Sequence, residues 1–285
     1  TVTIFEEMSV LGGMLYWEIP EYRLPKNILQ KEIDNILSLG IEVQTNTRIE
    51  DIDALFAQGY DAIFIGVGAP KPKKLGIPGE DLNLEGVYPG ELFLKDVNLG
   101  KKIDLTGKKV VVVGGGNTAI DSARTAVRLG AKRVTILYRR SRREMPGHGH
   151  EIREAEKEGV LFYFLASPIQ LLGNDKLEMV KCIRMKLVDT DESGRRRPIP
   201  IEHTEFLIET DVFIPAIGRS PDIGWLKGIK LTRWGTIAVG EYGATSREGV
   251  FAGGDVVNGA STVLEALASG KKAAQGIHAY LQQKA

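Results

Sequence analysis

The residues best suited to chemistry are Val113-Gly114-Gly115-Gly116-Asn117-Thr118-Ala119, a G-x-G-x-x-A run. It closes an apolar stretch, Lys108 to Val113, and opens a helical one, Asn117 to Leu129, with Ile120, Ala123 and Val127 on one face. Gly114 permits a tight turn, Gly116 lets the backbone approach a pyrophosphate, and Ala119 lets helix and strand pack closely. Asn117 and Thr118 begin the helix, whose first N–H groups and positive dipole end stabilise an anion. A plain tight turn of small residues is the alternative. The complete strand–helix–strand unit, closing on the strand Arg133 to Tyr138, favours a dinucleotide site.

An NAD site ordinarily carries an acidic residue about 20 residues past the glycines, bonded to the ribose hydroxyls. Here the next strand ends in Tyr138-Arg139-Arg140-Ser141-Arg142-Arg143. Arginine forks bind a phosphate dianion that a carboxylate would repel, so Arg139 and Arg140 point to NADP. The alternatives are a solvated basic loop, or a site that takes NADH. A second glycine-rich strand end is Gly249-Val250-Phe251-Ala252-Gly253-Gly254-Asp255, followed by a helix from Thr262 toward Gln282. Thr262 and Glu265 fit a capping box, and Val263, Leu267, Gly270, Ala274, Ile277 and Leu281 mark an apolar stripe. An Asx turn is the plain reading of Asp255 alone.

Several elements must hold these segments in place. Short strands are expected at Val2 to Phe5, Ile41 to Thr45 and Asp61 to Val67, and a helix begins at Pro25 and stops before Gly40. Prolines 70, 72 and 78 with Gly79 read as irregular chain. A helix, Glu151 to Glu158, and a strand, Val160 to Ala166, extend the parallel sheet. From Lys176 to Ile208 two extended stretches flank Asp189–Gly194, a hairpin turn. Asp211 to Ile217 is a last apolar strand, ending at Gly218.

With Gly66–Ala69 and Ala216-Ile217-Gly218, the G-G-D segment resembles the FAD-dependent oxidoreductases built from two dinucleotide-binding domains. The closer resemblance is to their glutamate synthase small-subunit-like branch. It rests on Phe5-Glu6 through Gly12-Gly13-Met14-Leu15, Ile19-Pro20-Glu21-Tyr22-Arg23-Leu24-Pro25, Gly76-Ile77-Pro78-Gly79, Tyr138-Arg139-Arg140 with Met145-Pro146, and the aspartate motif. Glu18 stands where many relatives have glycine.

The resemblance implies an α/β fold of two Rossmann-like domains, the NADP domain inserted into the FAD domain. Residues 1–105 and 219–285 would bind FAD, and 106–218 NADP. Glu6 would hold the FAD adenosine ribose, and Gly12 and Gly13 would lie along the flavin, beside Leu15 and Arg23. Gly68, Ala216 and Gly218 would line the crossovers. Gly254 and Asp255 would reach the ribityl or phosphate group, and Thr262 and Val263 would aim a helix end at the flavin's pyrimidine edge. The resemblance also implies that the family's first strand, phosphate loop and first helix lie upstream of Thr1. It further implies hydride transfer between NADP(H) and flavin N5, with electrons passed to or from an iron–sulfur or other redox partner domain or subunit. A non-catalytic, flavin-free NADP-binding or scaffolding subunit is the rival in another class.

Composition narrows the alternatives. Lys plus Arg and Asp plus Glu are 37 each, a balance that argues against a nucleic-acid or acidic-membrane binder. No apolar run reaches the ~18 residues of a membrane span. With no recognisable signal peptide, a cytoplasmic protein is expected. The single cysteine, Cys182, excludes a disulfide, a C-x-x-C pair or a cysteine-ligated cluster formed within this chain. His148, His150, His203 and His278 form no ligand set with metal spacing and read as surface residues. No catalytic side chain is expected, because hydride transfer belongs to the cofactors.

Overall fold

The apolar run at 109–113 becomes a strand covered on both faces. In the computed structural model, which describes residues 1–191 and 194–284, four parallel strands lie in the order Val212–Pro215, Lys109–Val113, Arg133–Tyr138 and Leu161–Phe164. Val110 and Val112 pack with Ile136, Ala119, Ala123 and Ile152 on the helical side. Val111 and Val113 pack with Leu137, Val180 and Cys182 on the other. Strands buried on both faces need continuous rather than alternating apolar residues, which is why Val110–Val113 is unbroken valine. The helices Asn117–Arg128 and Gly149–Lys157 make the two crossovers.

The second layer is antiparallel. Its central strand, Leu177–Thr190, pairs with Ala166–Gly173, Arg196–Pro200 and Phe206–Glu209. The expected hairpin lies between Leu177–Thr190 and Arg196–Pro200, which pair as predicted; Glu192 and Ser193 of its turn lie outside the described residues.

The chain forms two compact units. One comprises Leu15–Leu29 and Pro72–Ile217; the other comprises Thr1–Met14, Gln30–Lys71 and the chain from Gly218 onward. Dividing the chain at 105 and 218 assigns 72–105 to the other unit, but the packing holds it with the fingerprint. The helix Gly90–Asn98 buries Phe93 and Leu94 in the core that contains Val110 and Ile214.

In the unit that includes Thr1–Met14, Thr3–Phe5 pairs in parallel with Glu42–Gln44, and Ile63–Ile65 pairs in parallel with Val250–Ala252. Ile63, Ile65, Val250 and Ala252 share a core with Ile52, Leu55 and Val256, and Phe5 packs against it. Ile52 and Leu55 come from a short helix, Ile52–Ala57, capped by the Asp51 side chain.

The last helix, Val263–Lys284, corrects the expected stripe. Val263, Leu267 and Leu281 are exposed, and Ala273 is the buried residue. The packed face uses small residues instead. A Cβ on Gly276 would lie 2.5 Å from the Tyr242 carbonyl oxygen, and a Cβ on Gly243 would lie 2.8 Å from Ala273 Cβ. At these two contacts the packing is too close for leucine, while Tyr280 on the same helix meets the Phe251 ring edge-on at 5.9 Å.

Candidate functional site

Two glycines of the fingerprint are fixed by the chain and a third is not. Gly114 has φ +145°, and a Cβ there would lie 2.2 Å from the Ala216 carbonyl oxygen. Gly115, read only as a spacer, is equally constrained, because its Cβ would strike the Tyr138 ring at 2.5 Å. A Cβ on Gly116 meets nothing within 4 Å. Gly116 is the N-cap of Asn117–Arg128, has ordinary φ −88°, and gives the helix no side-chain cap. Open space therefore lies before uncapped helix N–H groups, an arrangement able to accept an anion. Ala119 is fully buried, and Ala216 N–H donates to Val113 O at 2.8 Å.

The following turn is tied to the fingerprint. Asn117 Oδ1 accepts the His148 N–H at 3.0 Å, and Gly147 N–H donates to Gly115 O at 3.0 Å. Sequence reasoning missed Gly147, where a Cβ would lie 2.4 Å from Ile120 Cδ1. His148 and His150 are exposed, and no metal-binding cluster occurs among the described residues.

The arginine pair separates. Arg139 is exposed, whereas Arg140 is only 4% exposed. Arg140 Nε donates to the Arg196 carbonyl at 2.8 Å, and Nη2 pairs with Asp191 at 2.5 Å.

Residues 15–29 lie along the fingerprint helix. Thr118 Oγ1 donates to Glu18 at 2.9 Å, Tyr22 OH donates to the Asp121 carbonyl at 3.3 Å, and Arg23 pairs with Asp121 at 2.6 Å. Arg124 and Arg128 face the Tyr22 ring at 4.6 and 4.0 Å. Both also bind Glu158, and Arg124 binds Glu151. Arg23, expected beside the flavin, is thus bonded to Asp121 and to Glu151. Leu15 contributes its carbonyl to Lys26 Nζ at 3.1 Å.

These pairs give the fold an acid limb. Burial works against ionisation of Glu158, but its bonds to Arg128 and Arg124 outweigh it and hold the carboxyl at about 2. Arg196 and Ser141 hold Glu144 at about 2 as well. Each binds fewer protons folded than unfolded, so its contribution is present above pH 4.5 and is lost as pH falls toward 2. Asp121 has the opposite sign. Burial, opposed by Arg23, raises it to about 6, so its contribution is present below about pH 4 and is lost as pH rises through 6. Glu158→Gln should flatten the fall in thermal stability between pH 4.5 and 2. Parallel melting curves for parent and variant over that window would contradict this assignment.

The other unit carries the remaining candidates. Glu6 ends the strand Thr3–Phe5, and its Oε1 accepts the Met8 N–H at 2.8 Å. Gly12 and Gly13 have φ +109° and +52°, and Gly68 has φ +69°. A Cβ on Gly13 or Gly68 would meet nothing within 4 Å. Gly218, at φ +111°, begins the last segment of this unit. Gly254, at φ +76°, donates its N–H to Ser269 Oγ at 2.6 Å. Asp255 accepts from Ser261 N–H and Oγ at 3.3 and 3.1 Å and lies 3.6 Å from Arg219. Thr262 and Glu265 form the expected capping box, with Thr262 N–H donating to Glu265 at 2.9 Å. Val263 is exposed at the helix start. Glu6 and Asp255 flank one core, because Phe5 packs against the cluster containing Val256.

Comparison with known proteins supports the same architecture. The family described as pyridine nucleotide-disulphide oxidoreductase matches residues 12–270. The NADP(+)-dependent formate dehydrogenase subunit beta of Moorella thermoacetica is 48% identical over 99% of this chain and 41% of its own length. The glutamate synthase [NADPH] small chain of Halomonas elongata is 36% identical over 98% of this chain and 62% of its own. The chain thus spans about half the length of these relatives. The structure of Mycobacterium tuberculosis FprA in complex with NADPH superposes with a TM-score of 0.85 at 18% identity, covering 99% of this chain and 78% of that one. That likeness establishes an α/β fold of two dinucleotide-binding domains. The chain belongs to the pyridine nucleotide-disulphide oxidoreductase family, in its glutamate synthase small-chain-like branch.

Proposed function

We propose that this chain is the nucleotide- and flavin-handling part of an FAD-dependent NADPH oxidoreductase. The observation that carries the reading is the open Cβ position of Gly116 before an uncapped helix N-terminus, directly after two glycines that the chain itself requires. The unit containing 72–217 would hold NADP through Gly114, Gly116, Asn117, Thr118 and Ala119, with Ala216 beneath the turn and arginines at the ribose end. The other unit would hold FAD, with Glu6 at the ribose, Gly12, Gly13 and Gly68 leaving room along the ring, and Asp255 at the ribityl chain. Arg23 and Leu15 would serve it indirectly, by shaping the strap on the fingerprint helix.

When bound, the two cofactors supply hydride transfer between nicotinamide and flavin. The residues of this chain bind and orient them and set the local charge. Cys182 takes no part: it is buried, and burial pushes its thiol up to about 12. A dithiol cannot form from a single cysteine. The names 'subunit beta' and 'small chain' of the relatives support a partner subunit, and the electrons would pass to or from an iron–sulfur or other redox partner. On this reading the location is the cytoplasm, where NADPH is maintained.

That the pair Thr3–Phe5/Glu42–Gln44 stands apart from the pair Ile63–Ile65/Val250–Ala252 supports a further part of the reading, in which an upstream strand and helix would complete the flavin unit. Phe64 is 44% exposed on the strand Ile63–Ile65, and Leu264 and Leu267 are exposed on the last helix. Such apolar surface is ordinarily covered. The function is tested by following NADPH-dependent flavin reduction in a polypeptide that includes the upstream segment. In the same polypeptide, Asp255→Ala should lower flavin content. Unchanged flavin occupancy and affinity would remove Asp255 from the site.

A further inference from the structure

The two arginines that the sequence treats alike differ in what surrounds them. Arg139 is exposed at the end of the strand Arg133–Tyr138, whereas the Arg140 side chain is 5% exposed and bonded through Nε and Nη2. Its Nε and Nη2 reach the Arg196 carbonyl and the Asp191 carboxylate, both on the antiparallel hairpin. The hairpin returns the connection. Arg196 Nε donates to Glu144 Oε1 at 2.7 Å, and Glu144 Oε2 accepts from Ser141 N–H and Oγ at 3.2 and 2.5 Å. Ser141 follows Arg140, so the bonds close a ring around the end of the strand. On the other side, Leu165 N–H donates to the Arg140 carbonyl at 3.1 Å. The backbone that carries Arg139 is held from both sides.

We infer that Arg140 is a positioning residue: through Asp191 and Arg196 it fixes Arg139, the arm that the NADP reading sets against the 2′-phosphate. Two of the five Arg140 N–H groups are taken by a carbonyl and a carboxylate, and burial of the side chain shields the others from a ligand. Arg140 and Arg195 set positive charge beside Arg139 that Asp191 only partly offsets, and a phosphate dianion would relieve the remainder. Nucleotide discrimination is then shared with the hairpin, 51 residues away in sequence from the motif. The inference rests on the reading that this unit binds NADP.

The test uses the full chain and isothermal titration with NADPH and NADH. Arg139→Ala should weaken NADPH about 10- to 100-fold, the range of one or two charge-assisted bonds, and leave NADH within about twofold. Asp191→Asn is the decisive variant. It removes a negative charge, so charge alone would strengthen NADPH binding; loss of the anchor should instead lower the NADPH-to-NADH ratio. Arg140→Met should lower that ratio similarly, and the double variant should fall no further than either single one. An increase in NADPH affinity in Asp191→Asn together with a collapse in Arg140→Met would make Arg140 a direct ligand and overturn the inference. Unchanged binding in Arg139→Ala would overturn it too. A parent chain with no preference for NADPH would instead bring down the NADP reading beneath it. If Arg140→Met does not fold, Asp191→Asn alone decides.

Discussion

Residues 1–285, purified alone, are expected to bind NADPH and to emerge from gel filtration without flavin. The expectation follows from where N–H groups point on each side. In the fingerprint turn, the first N–H groups of Asn117–Arg128 have no side-chain cap and open onto free space at Gly116. On the flavin side, the N–H groups near Asp255 are already bonded: Gly254 to Ser269, Ser261 to Asp255, and Thr262 to Glu265. Glu6 is acidic and suits a ribose, not a diphosphate. Bonds to charged groups contribute about 1.5–3 kcal/mol each, so lacking two of them weakens FAD about 100-fold or more. A visible-absorption spectrum after gel filtration, followed by titration with NADPH, checks both halves. Stoichiometric flavin surviving the column would refute the expectation and would require a second diphosphate cradle in this chain.

The second large effect is a contrast between two substitutions only two residues apart. Gly114→Ala should destabilise the fold by about 3 kcal/mol or more, because the new Cβ sits at positive φ and 2.2 Å from a backbone oxygen. Gly116→Ala should leave thermal stability within about 1 kcal/mol, since its φ is ordinary and its Cβ meets no atom of the chain. It should nonetheless weaken NADPH by at least about tenfold, because the methyl group fills the space through which a pyrophosphate reaches the helix N–H groups. Melting temperature and nucleotide affinity, measured on both variants, separate the two roles. A Gly116→Ala chain that binds NADPH as tightly as the parent would show that the open space is not the nucleotide's.

The fingerprint was legible because local rules and packing agree there. The valine run is buried on both faces, and the glycine turn, the helix Asn117–Arg128 and the strand Arg133–Tyr138 follow the expected order. The capping box at Thr262 was legible for the same local reason. The division of the chain was not, because Phe93, Tyr22 and Arg23 are placed by partners distant in sequence. Nor was the working face of the last helix: a period of three and four finds leucines, but a helix packed this closely hides alanine and glycine. The short helix Ile52–Ala57 offers too few turns for a periodic signal. Arg139 and Arg140 look interchangeable in a string of letters, and only Asp191 and Arg196 tell them apart.

The strap at 15–29 bears on how portable the nucleotide unit is. A single continuous excision, residues 72–217, would strip Arg23 from Asp121 and the Tyr22 ring from Arg124 and Arg128. It would also take Glu18 from Thr118, on the first turn of the fingerprint helix. Asp121, buried and already reluctant to ionise, would lose the cation that neutralises it and gain water instead. A transplantable module must therefore carry two pieces of chain, with the strap supplied by fusion or in trans. Grafts that swap 72–217 between relatives will succeed or fail according to whether donor and recipient agree at positions 18, 22 and 23.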